Sequence, residues 1–451
     1  MSFQVDLRSL PALLAAQPLN WHFPTSVVLA TGVSTDSRTV EPGNLFVALR
    51  GERFDGHQFV DAAMQRGAVA AIVEQSVGDV TLPLLQVPDT LVAYQTLACW
   101  WRQQFSIPVI AVTGSVGKTT TKELIAAVLT TQGRVLKTQA NYNNEIGVPK
   151  TLLELDTSHD FAVIEMGMRA AGEIELLTQI ARPDIAVITN VGTAHIGRLG
   201  SEQAIADAKC ELLQVMPAQG IAILNYDNQR LLDTAERVWS GDVITYGLHG
   251  GDVQGRLVDT TTLDVGGKQF SLPLPGQHNA SNYLAALAVA KVLHLDWAPL
   301  QQGLTLELPQ GRARRYELAN DVVILDETYN AGLESMIAAL RLLADTPGQR
   351  RIAVLGTMKE LGDRSTEFHH QVGQVAQQLR LDALLILADP AESDAMATGA
   401  HPLAAEQFAS AAELGQRLQT LVQPGDRVLF KASRAVGLDR VVEQFCAAWS
   451  R

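Results

Sequence analysis

From Pro108 onward, short apolar runs alternate with longer stretches in which polar residues recur at helical spacing. VIAV at 109–112, FAVIE at 161–165 and IAVITNV at 185–191 are such runs, each followed by a segment of helical length. Continuous apolar runs bounded by turn residues predict strands buried on both faces, and the intervening segments predict the helices that cover them. A mostly parallel, doubly wound sheet follows from that alternation. The pattern restarts after the basic stretch Gly311-Arg312-Ala313-Arg314-Arg315, with VVILDET, RIAVLG, ALLILA and RVLFKAS as strands of a second such sheet. Before Pro108 the strands SVVLATGV, NLFVAL and VAAIVE are shorter and separated by turn chemistry such as Glu41-Pro42-Gly43-Asn44, which predicts a small α/β unit. The fold class is therefore α/β in three domains. Residues 1–106 form a small N-terminal domain, 107–312 a central doubly wound domain and 313–451 a C-terminal Rossmann-like domain.

Composition agrees with this division, since 451 residues exceed what one core usually supports. With 47% hydrophobic and 18% charged residues the chain reads as globular rather than disordered. A net charge of −13 disfavours a nucleic-acid partner, which would need a basic face. The three cysteines, Cys99, Cys210 and Cys446, have no metal-type spacing and suit a reducing cytoplasm. Neither a signal peptide nor an apolar run long enough to span a bilayer is expected.

Chemistry concentrates where predicted strands end. Val109–Leu129 reads VIAVTGSVGKTTTKELIAAVL, a strand, a glycine loop and a helix. The common phosphate-loop spelling wants a glycine five residues before Gly117, where this chain has Val112. The physical elements are nonetheless all present. Gly114 and Gly117 let the backbone approach an anion, a helix start offers free N–H groups, Lys118 adds a charge, and Thr119 has a hydroxyl of the kind that ligates magnesium. Glu165 ends one neighbouring strand and suits a metal; His195 follows another, although a hard ion prefers oxygen. In LPLPGQHNASNYLAA, Asn279 and Asn282 lie on one helical face, where they either read a nucleotide base or cap the helix. Arg312, Arg314 and Arg315 lie at the domain seam, within reach of a γ-phosphate held by the central block, where one arginine could act. Asp326, Tyr329 and Asn330 follow one strand of the third block, and Lys431, Ser433 and Arg434 end another.

Together these segments resemble the Mur ligase family, the ATP-dependent amide ligases of peptidoglycan synthesis, whose nucleotide loop reads TGxxGKT[TS]. Here it spans Thr113 to Thr120, through Gly114, Ser115, Val116 and Gly117. Further stretches carry the likeness: TDSRTVEPGNLFVALRGERFDGHQF, NYNNEIGVPKTLL, IEMGMRAAGEI, NVGTAHIGRLGS, LDETYNAG and LGTMKELGD. Within the family they resemble the branch that adds D-alanyl-D-alanine to a UDP-MurNAc-tripeptide. The resemblance implies ATP and Mg2+ as cofactors, an acyl-phosphate intermediate, and a monomer working in the cytoplasm in cell-wall precursor synthesis, without nucleic acid or membrane insertion. It places Ser37 and Arg38 near the UDP end and Asn143 and Asn144 along the substrate path. Glu165, His195 and Thr119 become metal ligands, joined by Lys209 if that lysine is carbamylated. Asn279 and Asn282 become adenine contacts and Arg312 the γ-phosphate arginine. Asp326, Tyr329 and Asn330 would add to the nucleotide site, and Lys431, Ser433 and Arg434 would meet the dipeptide.

Three positions depart from the family pattern: Ala432 replaces a glycine, Thr357 an aspartate, and Gly197 stands where a glutamate often follows the histidine. Two other readings share parts of the pattern. Another ligase of the superfamily, such as folylpolyglutamate synthetase or the third-residue-adding enzyme, would use the same ATP chemistry. A nucleotide switch would need an NKxD-type segment, and the chain has no Asn-Lys pair.

Overall fold

A computed structural model describes residues 2–21, 27–78, 80–306 and 308–449. Of the predicted strand SVVLATGV, Ser26 lies outside the described residues. The remainder forms two short strands, Leu29–Ala30 and Gly32–Ser34, interrupted where Thr31 N donates to Gly43 O across the turn. The first domain holds a five-stranded sheet in the order Gln17–Leu19, Leu84–Gln86, Ala70–Val73, Asn44–Val47, Gly32–Ser34. Its last four strands are parallel.

Helix Thr90–Arg102 begins on Asp89, whose side chain accepts from Leu91 N and Val92 N. It then packs on central helices Gly147–Leu153 and Glu173–Ala181. Trp101 Nε1 donates to Leu155 O at 3.0 Å. The buried Arg102 guanidinium donates to Ala181 O (3.2 Å), Phe105 O (2.8 Å) and Asp184 Oδ2 (3.0 Å). A buried cation needs that many partners, so this seam is fixed.

In the central sheet Val109–Thr113 lies between Phe161–Glu165 and Ile185–Ile188, all parallel and in register Ala111↔Ile164 and Val112↔Val187. The chain winds first to one side of Val109–Thr113 and then to the other, so the crevice of a topological switch point opens above Thr113. The sheet has nine strands and ends in an antiparallel hairpin, Thr262–Val265 and Lys268–Ser271, beside Val253–Leu257. Sequence periodicity did not predict that extension, because its strands are short and face solvent on alternate residues.

The third sheet has the order Arg314–Leu318, Val322–Glu327, Arg427–Lys431, Arg351–Gly356, Ala383–Leu387, Ala405–Gln407, and only its first strand is antiparallel. One continuous apolar cluster runs from Leu97 through Ile164 and Ile188 to Leu340 and Leu355, so all three domains contribute to it. No helix among the described residues is long and apolar enough to cross a membrane.

Candidate active site

The glycine loop is built by backbone geometry that side chains would forbid. Gly114 (φ +150°) and Gly117 (φ +83°) occupy positive-φ backbone, and a Cβ on Gly114 would overlap Thr189 Oγ1. Helix Lys118–Thr130 starts directly after Gly117, so its first N–H groups have no partners within the helix and face outward. The loop before it is braced by the next strand. Asn190 accepts from Ser115 N through its carbonyl (3.0 Å), accepts from Val116 N through Oδ1 (3.0 Å) and donates Nδ2 to Val116 O (3.0 Å). Thr189 Oγ1 donates to the same Val116 carbonyl at 2.7 Å. Ser115 and Val116 therefore turn their N–H groups to Asn190 rather than to an anion. The Thr113 hydroxyl is likewise engaged, on Met166 O (2.9 Å). Sequence reading did not single out Thr189 and Asn190, since only the parallel pairing of their strand with Val109–Thr113 brings them under the loop.

Lys118 donates Nζ to Gly114 O at 2.8 Å, across the mouth of the loop. Burial holds its pKa below the ordinary lysine range; Glu165 opposes that effect and Arg312 adds to it. Glu165 and Arg312 thus lie near enough to Lys118 to act on its charge. Lys209, 1% exposed on helix Glu202–Val215, makes no salt bridge among the described residues. Burial first, and then the Lys118 charge, push its pKa well below the usual value. His195 belongs to the same cluster, its pKa lowered by burial and by Lys118, with Glu360 opposing.

Glu165 is 2% exposed; its Oε1 accepts from Asn143 Nδ2 at 2.8 Å while Oε2 is buried without a hydrogen-bond partner. An unsatisfied buried carboxylate oxygen is costly and suits a cation. No group of three or more His, Cys, Asp or Glu side chains converges among the described residues. A hard ion held by one carboxylate together with hydroxyl and phosphate oxygens needs no such cage, so the residues present fit Mg2+. Asn144 does something different from its neighbour, since its Oδ1 accepts from Gly147 N (2.9 Å) at a helix start.

Asn279 donates Nδ2 to Pro275 O at 2.9 Å, while Asn282 Oδ1 accepts from Thr121 Oγ1 at 3.2 Å. Asn282 thereby lies against the phosphate loop, where a Cβ on Gly117 would come within 2.6 Å of its Oδ1. At the domain seam Arg312 stacks over Tyr329 of the third domain, its guanidinium carbon 3.9 Å from the ring centre, and its Nε is a buried donor without a partner among the described residues. Asp326 is committed to the turn, accepting from Thr328 N (3.1 Å) and Thr328 Oγ1 (2.6 Å). Lys431 donates to Asn330 O at 2.9 Å, Ser433 Oγ accepts from Lys359 N at 2.9 Å, and Arg434 is exposed 3.5 Å from Asp439.

At the far end, Ser37 and Arg38 start the turn Ser37–Thr39. Arg38 forks onto Asp36, which with Lys150 behind it holds the Asp36 carboxyl down to about 2. The departures from pattern find local reasons. Ala432 is fully buried against Gly356, whose missing side chain leaves it room. Thr357 Oγ1 accepts from Asp389 N at 2.9 Å. Gly197 faces the backbone of Gly362, where a side chain would clash.

A glycine loop feeding a helix start, with a half-buried lysine, a buried carboxylate and an arginine at the seam with a second α/β sheet, fits an ATP-dependent ligase site. The chain belongs to the Mur ligase family. It matches the Mur ligase middle domain over residues 112–290, the Mur ligase glutamate ligase domain over 311–434 and the Mur ligase family catalytic domain over 30–94. It is 59% identical to the UDP-N-acetylmuramoyl-tripeptide--D-alanyl-D-alanine ligase of Synechocystis sp., with 92% of each chain covered. It is 38% identical to the enzyme of the same name from Escherichia coli K12, over 94% of this chain and 95% of that one. Among solved structures it resembles MurF from Acinetobacter baumannii (TM-score 0.90, 32% identity, 99% of each chain). It also resembles the MurF ligase of Thermotoga maritima in complex with ADP (TM-score 0.82, 32% identity, 92% of this chain and 97% of that one).

Proposed function

We propose that the protein is an ATP-dependent ligase that joins D-alanyl-D-alanine to a UDP-MurNAc-tripeptide through an acyl phosphate. The observation that carries this reading is the glycine loop at a helix start, with Lys118 Nζ on Gly114 O (2.8 Å) and Glu165 Oε2 and Arg312 Nε buried without partners among the described residues. In the first step a carboxylate oxygen of the tripeptide attacks the γ-phosphorus, the bond to the β–γ bridging oxygen breaks, and ADP leaves. In the second the dipeptide amine adds to the acyl carbon, loses a proton and expels inorganic phosphate.

The first step brings anions together. Two unit charges 4 Å apart repel by about 4 kcal/mol at an effective dielectric near 20. Lys118 offsets this by exchanging the Gly114 carbonyl for a phosphate oxygen, and the Nε of Arg312 donates from the seam with the third domain. Mg2+ bound by Thr119, Glu165, His195 and Lys209 would add Lewis-acid charge at the phosphate oxygens. For Lys209 that role requires carbamylation: a neutral amine attacks carbon dioxide, releases a proton and becomes an anionic carbamate. Its burial favours the neutral amine. Ser37, Arg38 and Asn143 are assigned to the UDP substrate, and Lys431, Ser433 and Arg434 to the dipeptide. We assign the protein to the cytoplasm, as a monomer.

The test is phosphate release from ATP with UDP-MurNAc-tripeptide and, in separate reactions, D-alanyl-D-alanine, diaminopimelate and glutamate as the amine. Turnover only with the dipeptide is expected. Turnover with a single amino acid, or none with any amine, overturns the assignment.

A further inference from the structure

The loop that carries His195 is gripped from the third domain by two carboxylates. On one side Thr193 donates N to Glu334 Oε1 (2.7 Å) and Oγ1 to Glu334 Oε2 (3.2 Å). On the other, Gly197 N donates to Glu360 O (3.1 Å), Arg198 Nη2 donates to Glu360 Oε1 (3.1 Å), and Glu360 Oε2 lies 2.6 Å from His195 Nδ1. The domains approach closely at two glycines of this loop. A Cβ on Gly192 would come within 2.5 Å of Glu334 Oε1, and one on Gly197 within 2.5 Å of Gly362 N.

His195 itself has a left-handed backbone, φ +68°, and so does Glu360 at +66°. Non-glycine residues keep that conformation where their surroundings over-determine it. Inside the central domain Gly192 N donates to Ser115 Oγ (2.9 Å) at the start of the loop, and the single turn Ile196–Leu199 follows His195, with Arg198 N and Leu199 N donating to His195 O. The other constraints on the loop named above come from Glu334 and Glu360. The Nδ1 contact is at ion-pair distance but off hydrogen-bond alignment. A carboxylate that close still favours the ring proton on Nδ1 and leaves the Nε2 lone pair free as a ligand.

We propose that Glu334 and Glu360 are positioning residues that hold His195 in its working orientation only while the third domain is docked. This rests on the ligase reading above and deepens it: phosphoryl transfer then waits for the domain assigned to the dipeptide, so ATP is not spent before the amine is in reach.

The test uses the full chain, Glu334→Gln, Glu360→Gln, the double variant and Glu360→Asp, with a fluorophore pair reporting the distance between central and third domains. Glu360 is 36% exposed, so its neutralisation leaves the core intact. Expected are a kcat reduced about ten- to a hundredfold in each Gln variant, as loss of a histidine's carboxylate partner typically gives. The KM for ATP and the affinity for AMP-PNP with Mg2+ stay within about twofold, since the loop and Lys118 are untouched. The domains should move apart in the double variant, and Glu360→Asp should recover part of kcat. Wild-type kcat and spacing in the double variant overturn the proposal, as does a raised KM with unchanged kcat. A wild-type enzyme inactive with the tripeptide and dipeptide would instead sink the substrate reading, while the distance measurement would still test the clamp.

Discussion

Lys118 is half-buried and Lys209 fully buried, and both are depressed in pKa, yet they serve opposite ends. Lys118 has Glu165 beside it and an exchangeable contact to Gly114 O, so its ammonium stays available to a phosphate. Lys118→Ala should reduce kcat/KM at least about a hundredfold, the usual cost of removing a donor aimed at developing charge, in a steady-state ATP assay. Lys209 has no carboxylate partner among the described residues, and its proposed carbamate should appear as a carbonyl resonance from ¹³C-bicarbonate that is lost in Lys209→Ala. A fully active preparation without that resonance contradicts the assignment.

His278 titrates for a different reason. Burial, with Lys431 adding to it, lowers its pKa from the ordinary value near 6.5 to about 4. The folded state then binds fewer protons than the unfolded chain between those values. Stability should be complete above about pH 6.5 and fall as the pH drops towards 4, by at most about 3 kcal/mol. Thermal melts from pH 7.5 to 4 should show a smaller fall for His278→Asn; parallel curves would count against it.

At the scale of elements, helix Thr90–Arg102 and the strand Ile185–Ile188 show how secondary structure fixes function. The helix begins in the first domain and ends on carbonyls of the second, Ala181 O and Arg182 O, through Arg102. Arg102→Ala strands those carbonyls in a buried seam and should cost about 2–4 kcal/mol in urea unfolding, with KM values unchanged at low temperature. A loss below about 0.5 kcal/mol would mean water replaces the guanidinium. The strand Ile185–Ile188 delivers Asn190 to the underside of the phosphate loop, which is why the loop keeps its shape without Gly at position 112.

Across the whole molecule the two interdomain attachments differ in kind. The first domain is tied to the central one by buried groups, Trp101 and Arg102. The third meets the central domain partly through half-exposed charges, Glu360 with His195 and Arg198. Partly exposed ion pairs contribute little to stability and are weakened by salt, so this second seam is the one suited to opening. With this seam docked, Arg312, on its Tyr329 platform, acts on the charge of Lys118.

What the sequence determined by itself was local. Apolar periodicity marked the principal strands, and the Val109–Leu129 loop announced a phosphate site because glycine, lysine and a helix start act within a few residues of one another. Glu165 and His195 were legible because parallel strands present their C-terminal ends on one edge. What only the tertiary structure decided is which groups meet across strands and domains. Asn190 under Val116, Glu334 on Thr193 and Glu360 on His195 are separated by about 70 to 165 residues along the chain. Sequence spacing carries no signal at that range, because hydrogen bonds and charge contacts act over a few ångströms and depend on how the sheets are wound and docked.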